Sequence, residues 1–177
     1  RSLMKRMLYY SFPMLILGIA GILNQVADKI IFPFVYPDEA EAAVQLGIYG
    51  ATSKIAMIMA MFTQAFRFAY EPFVFGKSKD KGNKQMYAQA MKFFIIFTVL
   101  AFLAVMFYLD ILRYVIGRDY WEGLRVVPIV MIAEMFMGIY FNLSFWYKLT
   151  DETKWGAYFS LIACLIVVLM NIFLIPI

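Results

Sequence analysis

The chain has 177 residues, of which 64% are hydrophobic, 19% are aromatic and 16% are charged, with a formal net charge of +4 at pH 7. A soluble domain has roughly 45–50% apolar and about 25% charged residues, so this composition excludes an ordinary soluble globular protein. Because there is too little polar surface to cover a soluble fold, lipid is predicted to be the solvent for most of the chain.

Five apolar segments follow one another and predict an all-α, polytopic transmembrane bundle. A helix takes roughly 20 apolar residues to cross a hydrocarbon core of ~30 Å, and each segment is about that long. The alternation of a membrane β-strand is absent, so helices are the expected spanning elements. The predicted helices cover about residues 11–34, 46–75, 91–113, 125–147 and 155–177, and the chain is treated as one domain over residues 1–177. Since it starts at Arg1 and ends on apolar "NIFLIPI", it is expected to be a fragment of a longer membrane protein.

The first segment ends with four polar residues in an apolar stretch, namely Asn24, Gln25, Asp28 and Lys29. Small and polar residues gather on one side of this helix, which predicts a face that packs on protein or lines a cavity. Lys29 has a second interpretation, in which its long side chain reaches the outer headgroups.

The second segment carries Lys54, Gln64, Arg67 and Glu71, and the fourth carries Glu134. A charge near the bilayer centre costs on the order of 2.5–3.5 kcal/mol, so each of these charges indicates a function by default. Arg67 and Glu71 are one helical turn apart and can pair, which fits a site or a helix-stabilising pair. The short side chain of Glu134 does not reach the headgroups, and a buried structural hydrogen bond is its alternative role.

Basic residues are distributed unequally between the two ends of the helices. Successive connections alternate sides, so the leader, the connection after the second segment and the turn before the fifth lie together. That side holds Arg1, Lys5, Arg6, Lys77, Lys79, Lys81, Lys84, Lys92, Lys148 and Lys154, and the other side holds Arg113, Arg118 and Arg125. The bias predicts a cytoplasmic N-terminus. The Lys-rich connection is interpreted as a topology determinant, and no nucleic-acid partner is predicted.

Enzyme signatures are absent from the sequence. There is no histidine and a single cysteine, Cys164, and no G-x-S-x-G, Walker A, H-E-x-x-H or Asp-x-Asp motif is present. No catalytic residue, metal ligand or cofactor is therefore predicted, and the chain is interpreted as a non-enzyme.

Several stretches carry a resemblance to a known family. The string "DKIIFPF", the acidic connection after it and then "LGIYGATSKIAMIMAMFTQAFRFAYEPF" resemble the seventh and eighth helices of bacterial polysaccharide flippases. The string "DYWEGLRVVPIVMIAEMFMGIYFNLSFWYKLTDETKWGAYFSLI" resembles the tenth helix of these flippases and its turn into the eleventh. The string "NIFLIPI" resembles the ending of their eleventh helix. These flippases are the polysaccharide transporter branch of the multidrug/oligosaccharidyl-lipid/polysaccharide exporter superfamily.

The resemblance implies most of the C-terminal six-helix bundle of a transporter with twelve or more helices. Such proteins flip oligosaccharides linked to undecaprenyl pyrophosphate across the bacterial inner membrane by alternating access, for capsule, O-antigen or exopolysaccharide. It also implies a cationic cavity, with Lys29, Lys54 and Arg67 as candidates for attracting the diphosphate. Charge balance or coupling to a monovalent cation or proton is assigned to Asp28, Glu71 and Glu134. The polar lining is assigned to Asn24, Gln25 and Gln64.

The expected partners are the lipid-linked oligosaccharide, membrane lipids and the N-terminal bundle of the same protein. Two other functions stay open on the sequence. A cation-coupled multidrug exporter of the same superfamily predicts a smaller and more acidic or apolar cavity. A membrane-embedded glycan polymerase or acyltransferase predicts a sizeable outer loop with catalytic residues, whereas the outer connections here are short.

Overall fold

The computed structural model describes residues 2–76, 83–150 and 152–175, and the regular structure in these ranges is helical. The helices are α1 (Ser2–Val35), α2 (Glu39–Gly76), α3 (Asn83–Phe107), the short α4 (Leu109–Leu112), α5 (Val127–Leu149) and α6 (Thr153–Leu174). Two 3₁₀ segments, η1 (Arg113–Val115) and η2 (Arg118–Val126), connect α4 to α5.

Five helical segments of the described ranges are long and apolar enough to cross a membrane. They are Met7–Val35, Ala40–Gly76, Lys84–Phe107, Arg118–Leu149 and Thr153–Phe173. At most 28% of the apolar window in any of them is buried within the chain, so most of the apolar surface is left for lipid or further protein. The prediction of an all-α protein with five membrane-spanning helices is confirmed, and the chain is an integral membrane protein.

Several helices have bounds that differ from the apolar segments of the sequence. The first helix begins at Ser2 rather than near residue 11, because a helix continues through polar interfacial turns that hydropathy does not register. The third ends at Phe107 rather than near residue 113. The next residue, Tyr108, leaves the helical region with φ −98° and ψ 10°. Of the predicted cytoplasmic connections, residues 77–82 and 151 lie outside the described ranges, as do residues 176–177 of the last predicted helix.

The chain divides into two compact units, of which Arg1–Leu46 with Trp146–Ile177 is the first. In this unit α1 packs along α6. The Leu17 side chain packs against Gly156, where an added Cβ would lie 2.5 Å from Leu17 Cδ1. Near the same end, Thr153 Oγ1 donates a hydrogen bond to the backbone carbonyl of Tyr10 at 3.5 Å. Such a small-residue contact is typical of helices that associate in lipid, where van der Waals packing replaces the hydrophobic effect.

The second unit, Gly47–Phe145, is built from α2, α3 and α5 with the connection between the last two. Its buried apolar core has three residues from α2, one from α3 and two from α5: Ile55, Ala56, Met59, Val105, Val127 and Met131. Aromatic contacts continue this packing. The rings of Phe66 and Phe94 lie 4.8 Å apart between centroids, and those of Tyr70 and Phe145 lie 5.6 Å apart edge to face. Both spacings are in the favourable range for aromatic pairs.

The connection between α3 and α5 is organised around Arg113. Its guanidinium lies 4.9 Å from the ring centroid of Trp121 and 5.2 Å from that of Tyr114, and pairs with Asp110 at 3.3 Å. A hydrogen bond to Tyr114 Oη raises the pKa of the Arg113 guanidinium, with burial acting against it. The Trp121 indole N–H in turn donates to the Arg113 carbonyl at 3.0 Å. These contacts fold the connection back on itself without a sheet or a disulfide.

We expect Trp121→Phe to lower the free energy of unfolding by about 1 kcal/mol, because one hydrogen bond to a backbone carbonyl and part of the cation–π contact are lost. The measurement is thermal unfolding of the purified protein in detergent. Trp146→Phe is the matched control, since Trp146 is 55% exposed. Equal effects of the two changes would contradict this role for Trp121.

Candidate functional site

Arg67 is the charged residue with the most contacts among those predicted for a site. It lies on α2, half-buried, and its Nε is 3.4 Å from Glu71 Oε2. The guanidinium carbon also lies 4.8 Å from the ring centroid of Phe141 on α5, which is cation–π geometry. A partly exposed pair of this spacing stabilises a helix by only ~0.5 kcal/mol. The ion pair and the ring therefore hold the guanidinium in one orientation more than they stabilise the fold.

Arg67 also borders a narrow cavity between α2, α3 and α5. The cavity is small, with a volume of about 10 Å³. Its lining is mainly aromatic, and its polar groups are two hydroxyls, one guanidinium and one amide: Thr63, Phe66, Arg67, Tyr70, Phe94, Gly138, Phe141, Asn142 and Phe145.

Lys54 lies elsewhere on α2, beside a larger groove of about 390 Å³. Apart from Lys54 and Tyr120, the groove is lined by apolar side chains and Gly117: Ala51, Ile55, Ile58, Leu112, Val115 and Ile116. The Lys54 side chain is exposed, and none of the described acidic residues comes within ion-pair distance of it. This arrangement sets one cation against an apolar surface, which suits an anionic group attached to an apolar chain.

Lys54 and Arg67 border separate cavities. They are thirteen positions apart on one helix, which is about 20 Å along its axis. Gln64, between them, is exposed, and Glu134 on α5 is half-buried with no described basic residue at ion-pair distance. Among the described residues of the second unit, Arg67 and Glu71 are the predicted site residues that an ion pair joins.

The four predicted residues of α1 belong to the first unit. Lys29 and Gln25 are exposed, whereas Asn24 and Asp28 are half-buried. One side-chain oxygen of Asn24 and one of Asp28 are buried without a hydrogen-bond partner in the described part of the chain. Since the two residues are four apart, these oxygens lie on the same face of α1.

The structure adds residues that the sequence did not single out. Phe141 contacts the Arg67 guanidinium, Thr63 and Asn142 line the cavity beside it, and Tyr120 lines the Lys54 groove. An asparagine within an apolar helix is a usable sequence signal. A threonine is not, since its hydroxyl usually bonds to its own helix. In the described residues, no group of three or more His, Cys, Asp or Glu side chains is placed to hold a metal ion.

Comparison with known proteins adds one finding. The model of the MatE family matches residues 40–173, which is most of the chain. No curated protein and no solved structure matches it.

Proposed function

Because the chain belongs to the MatE family of transporters, within the multidrug/oligosaccharidyl-lipid/polysaccharide exporter superfamily, we propose that it serves to flip lipid-linked oligosaccharides across the bacterial inner membrane. The cargo is an undecaprenyl pyrophosphate carrying a glycan precursor of capsule, O-antigen or exopolysaccharide. The chain acts together with an N-terminal bundle of the same protein and has its N-terminus in the cytoplasm.

The observation that carries this proposal is the apolar groove beside Lys54. An ammonium group beside an apolar groove, with no acidic partner in the described part of the chain, calls for a counter-ion that also brings apolar surface. A diphosphate on a prenyl chain has both properties. A free inorganic anion would leave the apolar lining without contact, and an apolar molecule would leave the charge unpaired.

The other candidate residues divide the remaining tasks. Arg67, oriented by Phe141 and Glu71, offers the planar donors that suit a phosphate, and Lys29 offers a point charge. Asp28, Glu71 and Glu134 balance these charges or bind the monovalent cation or proton that couples transport. Transport follows alternating access, in which two bundles rock about the cargo.

The test uses the full-length protein in a host that lacks its own copy. We expect Lys54→Ala and Arg67→Ala to reduce surface glycan by about tenfold or more, because a charge-assisted phosphate contact contributes roughly 1.5–3 kcal/mol. Lys29→Ala is also expected to reduce surface glycan. Lys92→Ala, which removes an exposed lysine of α3, is the matched control and should leave export unchanged. Normal export by all three variants at normal protein levels would overturn the cationic-cavity proposal.

A cation-coupled multidrug exporter is the second candidate, favoured by Glu134, a half-buried acid with no basic residue at ion-pair distance in the described part of the chain. The same strains separate the two functions. An exporter of cationic drugs requires Glu134 rather than Lys54, so Glu134→Gln would raise drug susceptibility while Lys54→Ala would not. The flippase proposal expects unchanged drug susceptibility in both.

A further inference from the structure

The hydroxyl of Thr63 behaves differently from those of two other buried threonines. Thr52 Oγ1 bonds to the Ile48 carbonyl at 2.8 Å, and Thr98 Oγ1 bonds to the Phe94 carbonyl at 2.9 Å, each one turn back in its own helix. Thr63 is 4% exposed, yet its Oγ1 has no hydrogen-bond partner in the described part of the chain. The Thr63 hydroxyl therefore lacks the usual bond to its own helix, and Thr63 is one of the residues that line the cavity beside Arg67.

Asn142 lines the same cavity and carries a second buried polar oxygen. Its amide nitrogen donates to the Gly138 carbonyl at 3.1 Å, whereas its Oδ1 is buried without a partner among the described residues. Turning the amide over would set Oδ1 against that carbonyl oxygen, so the Gly138 contact fixes the orientation. Oδ1 accepts hydrogen bonds only, and it therefore requires a donor within the cavity.

Size and chemistry together define what fits between these oxygens. The cavity volume of about 10 Å³ suits one water molecule and little more. A cation is disfavoured because the Arg67 guanidinium borders the cavity, and an anion is disfavoured by the acceptor oxygen of Asn142. A water molecule has two donors for the two oxygens and a lone pair for a guanidinium N–H.

We propose that one structural water binds between Thr63 Oγ1 and Asn142 Oδ1 and accepts a hydrogen bond from Arg67. The water ties α2 to α5 at the point where Gly138 lets them approach, and it gives Arg67 a partner in addition to Glu71 and Phe141. This site does not depend on which cargo the protein moves.

The test is the direction in which Thr63→Val moves the midpoint of thermal unfolding of the full-length protein in detergent. Valine keeps the shape of threonine and removes the hydroxyl. If the oxygen is bridged by water, the change costs a hydrogen bond, and the midpoint falls by about 2–4 °C. If the oxygen is unpartnered, valine relieves a buried unsatisfied group, so a midpoint that is unchanged or raised overturns the proposal.

Controls separate the water from other causes. Thr63→Ser keeps the hydroxyl and should lie closer to the unaltered protein than Thr63→Val does. Thr98→Val removes a buried hydroxyl that is bonded within its own helix and should have a smaller effect. Stabilisation by sodium that Thr63→Val abolishes would identify a cation site and overturn the proposal. Should Thr63→Val fail to fold, an experimental map of the unaltered protein decides, by density or its absence within hydrogen-bond distance of both oxygens.

Discussion

Gly138→Ala is expected to lower the free energy of unfolding by about 1–3 kcal/mol, the usual cost of overpacking a filled interior. An added Cβ would collide with Phe94 Cζ, lie 2.9 Å from Phe94 Cε1 and lie 3.1 Å from Thr63 Cγ2. The Phe94 ring is 2% exposed and packs on Phe66, so it has little freedom to turn away. Thermal or denaturant unfolding in detergent measures the effect.

Two further variants show whether this collision is the cause. Gly50→Ala adds the same methyl group to α2 at a position where a Cβ would meet nothing within 4 Å, and it should be neutral or slightly stabilising. Phe94→Leu shortens the side chain that a Cβ at Gly138 meets. It should therefore cost less in the Gly138→Ala background than in the unaltered protein. Equal costs in both backgrounds would contradict the packing argument.

The fold class follows from the sequence because lipid imposes a simple rule on it. Each spanning segment must satisfy its own backbone hydrogen bonds, so long apolar runs predict helices, and the structure confirms five of them. Where a helix ends is decided by other forces. The run into α1 from Ser2 is polar enough to be missed by hydropathy, and the break at Tyr108 falls inside an apolar stretch, where it leaves no mark on hydropathy.

The resemblance to flippases is confirmed at the level of the superfamily through the MatE match, while the flippase branch remains a proposal. The candidate site divides in the same way. The spacing of Arg67 and Glu71 alone predicts their contact, since neighbours one turn apart meet on a helix. The placement of Phe141 under the guanidinium depends on how α2 and α5 cross, which no local pattern encodes. The same holds for Thr63, whose buried hydroxyl lacks the bond to its own helix that a local pattern predicts.

The largest functional effect is expected when the charges of the Arg67–Glu71 ion pair are exchanged in two steps. Arg67→Glu alone sets two carboxylates one turn apart on a half-buried face, so both protein level and glycan export should fall, export by about tenfold or more. Adding Glu71→Arg restores an ion pair of the same spacing. We expect this double variant to recover its protein level but not its export, because the guanidinium has moved about 6 Å along the helix and away from Phe141. Immunoblotting and surface-glycan assays in the same cells give both quantities.

The reversal separates the two roles that the sequence left open for Arg67. A helix-stabilising pair requires only opposite charges at this spacing, so normal export by the double variant would assign that role and remove Arg67 from the cationic site. A phosphate contact requires the cation at one place. Arg67→Lys keeps a positive charge there without the planar donors or the full ring contact, and it should retain more export than Arg67→Ala. Equal losses in the lysine and alanine variants would mean that the planar guanidinium is required and that a positive charge alone is not enough.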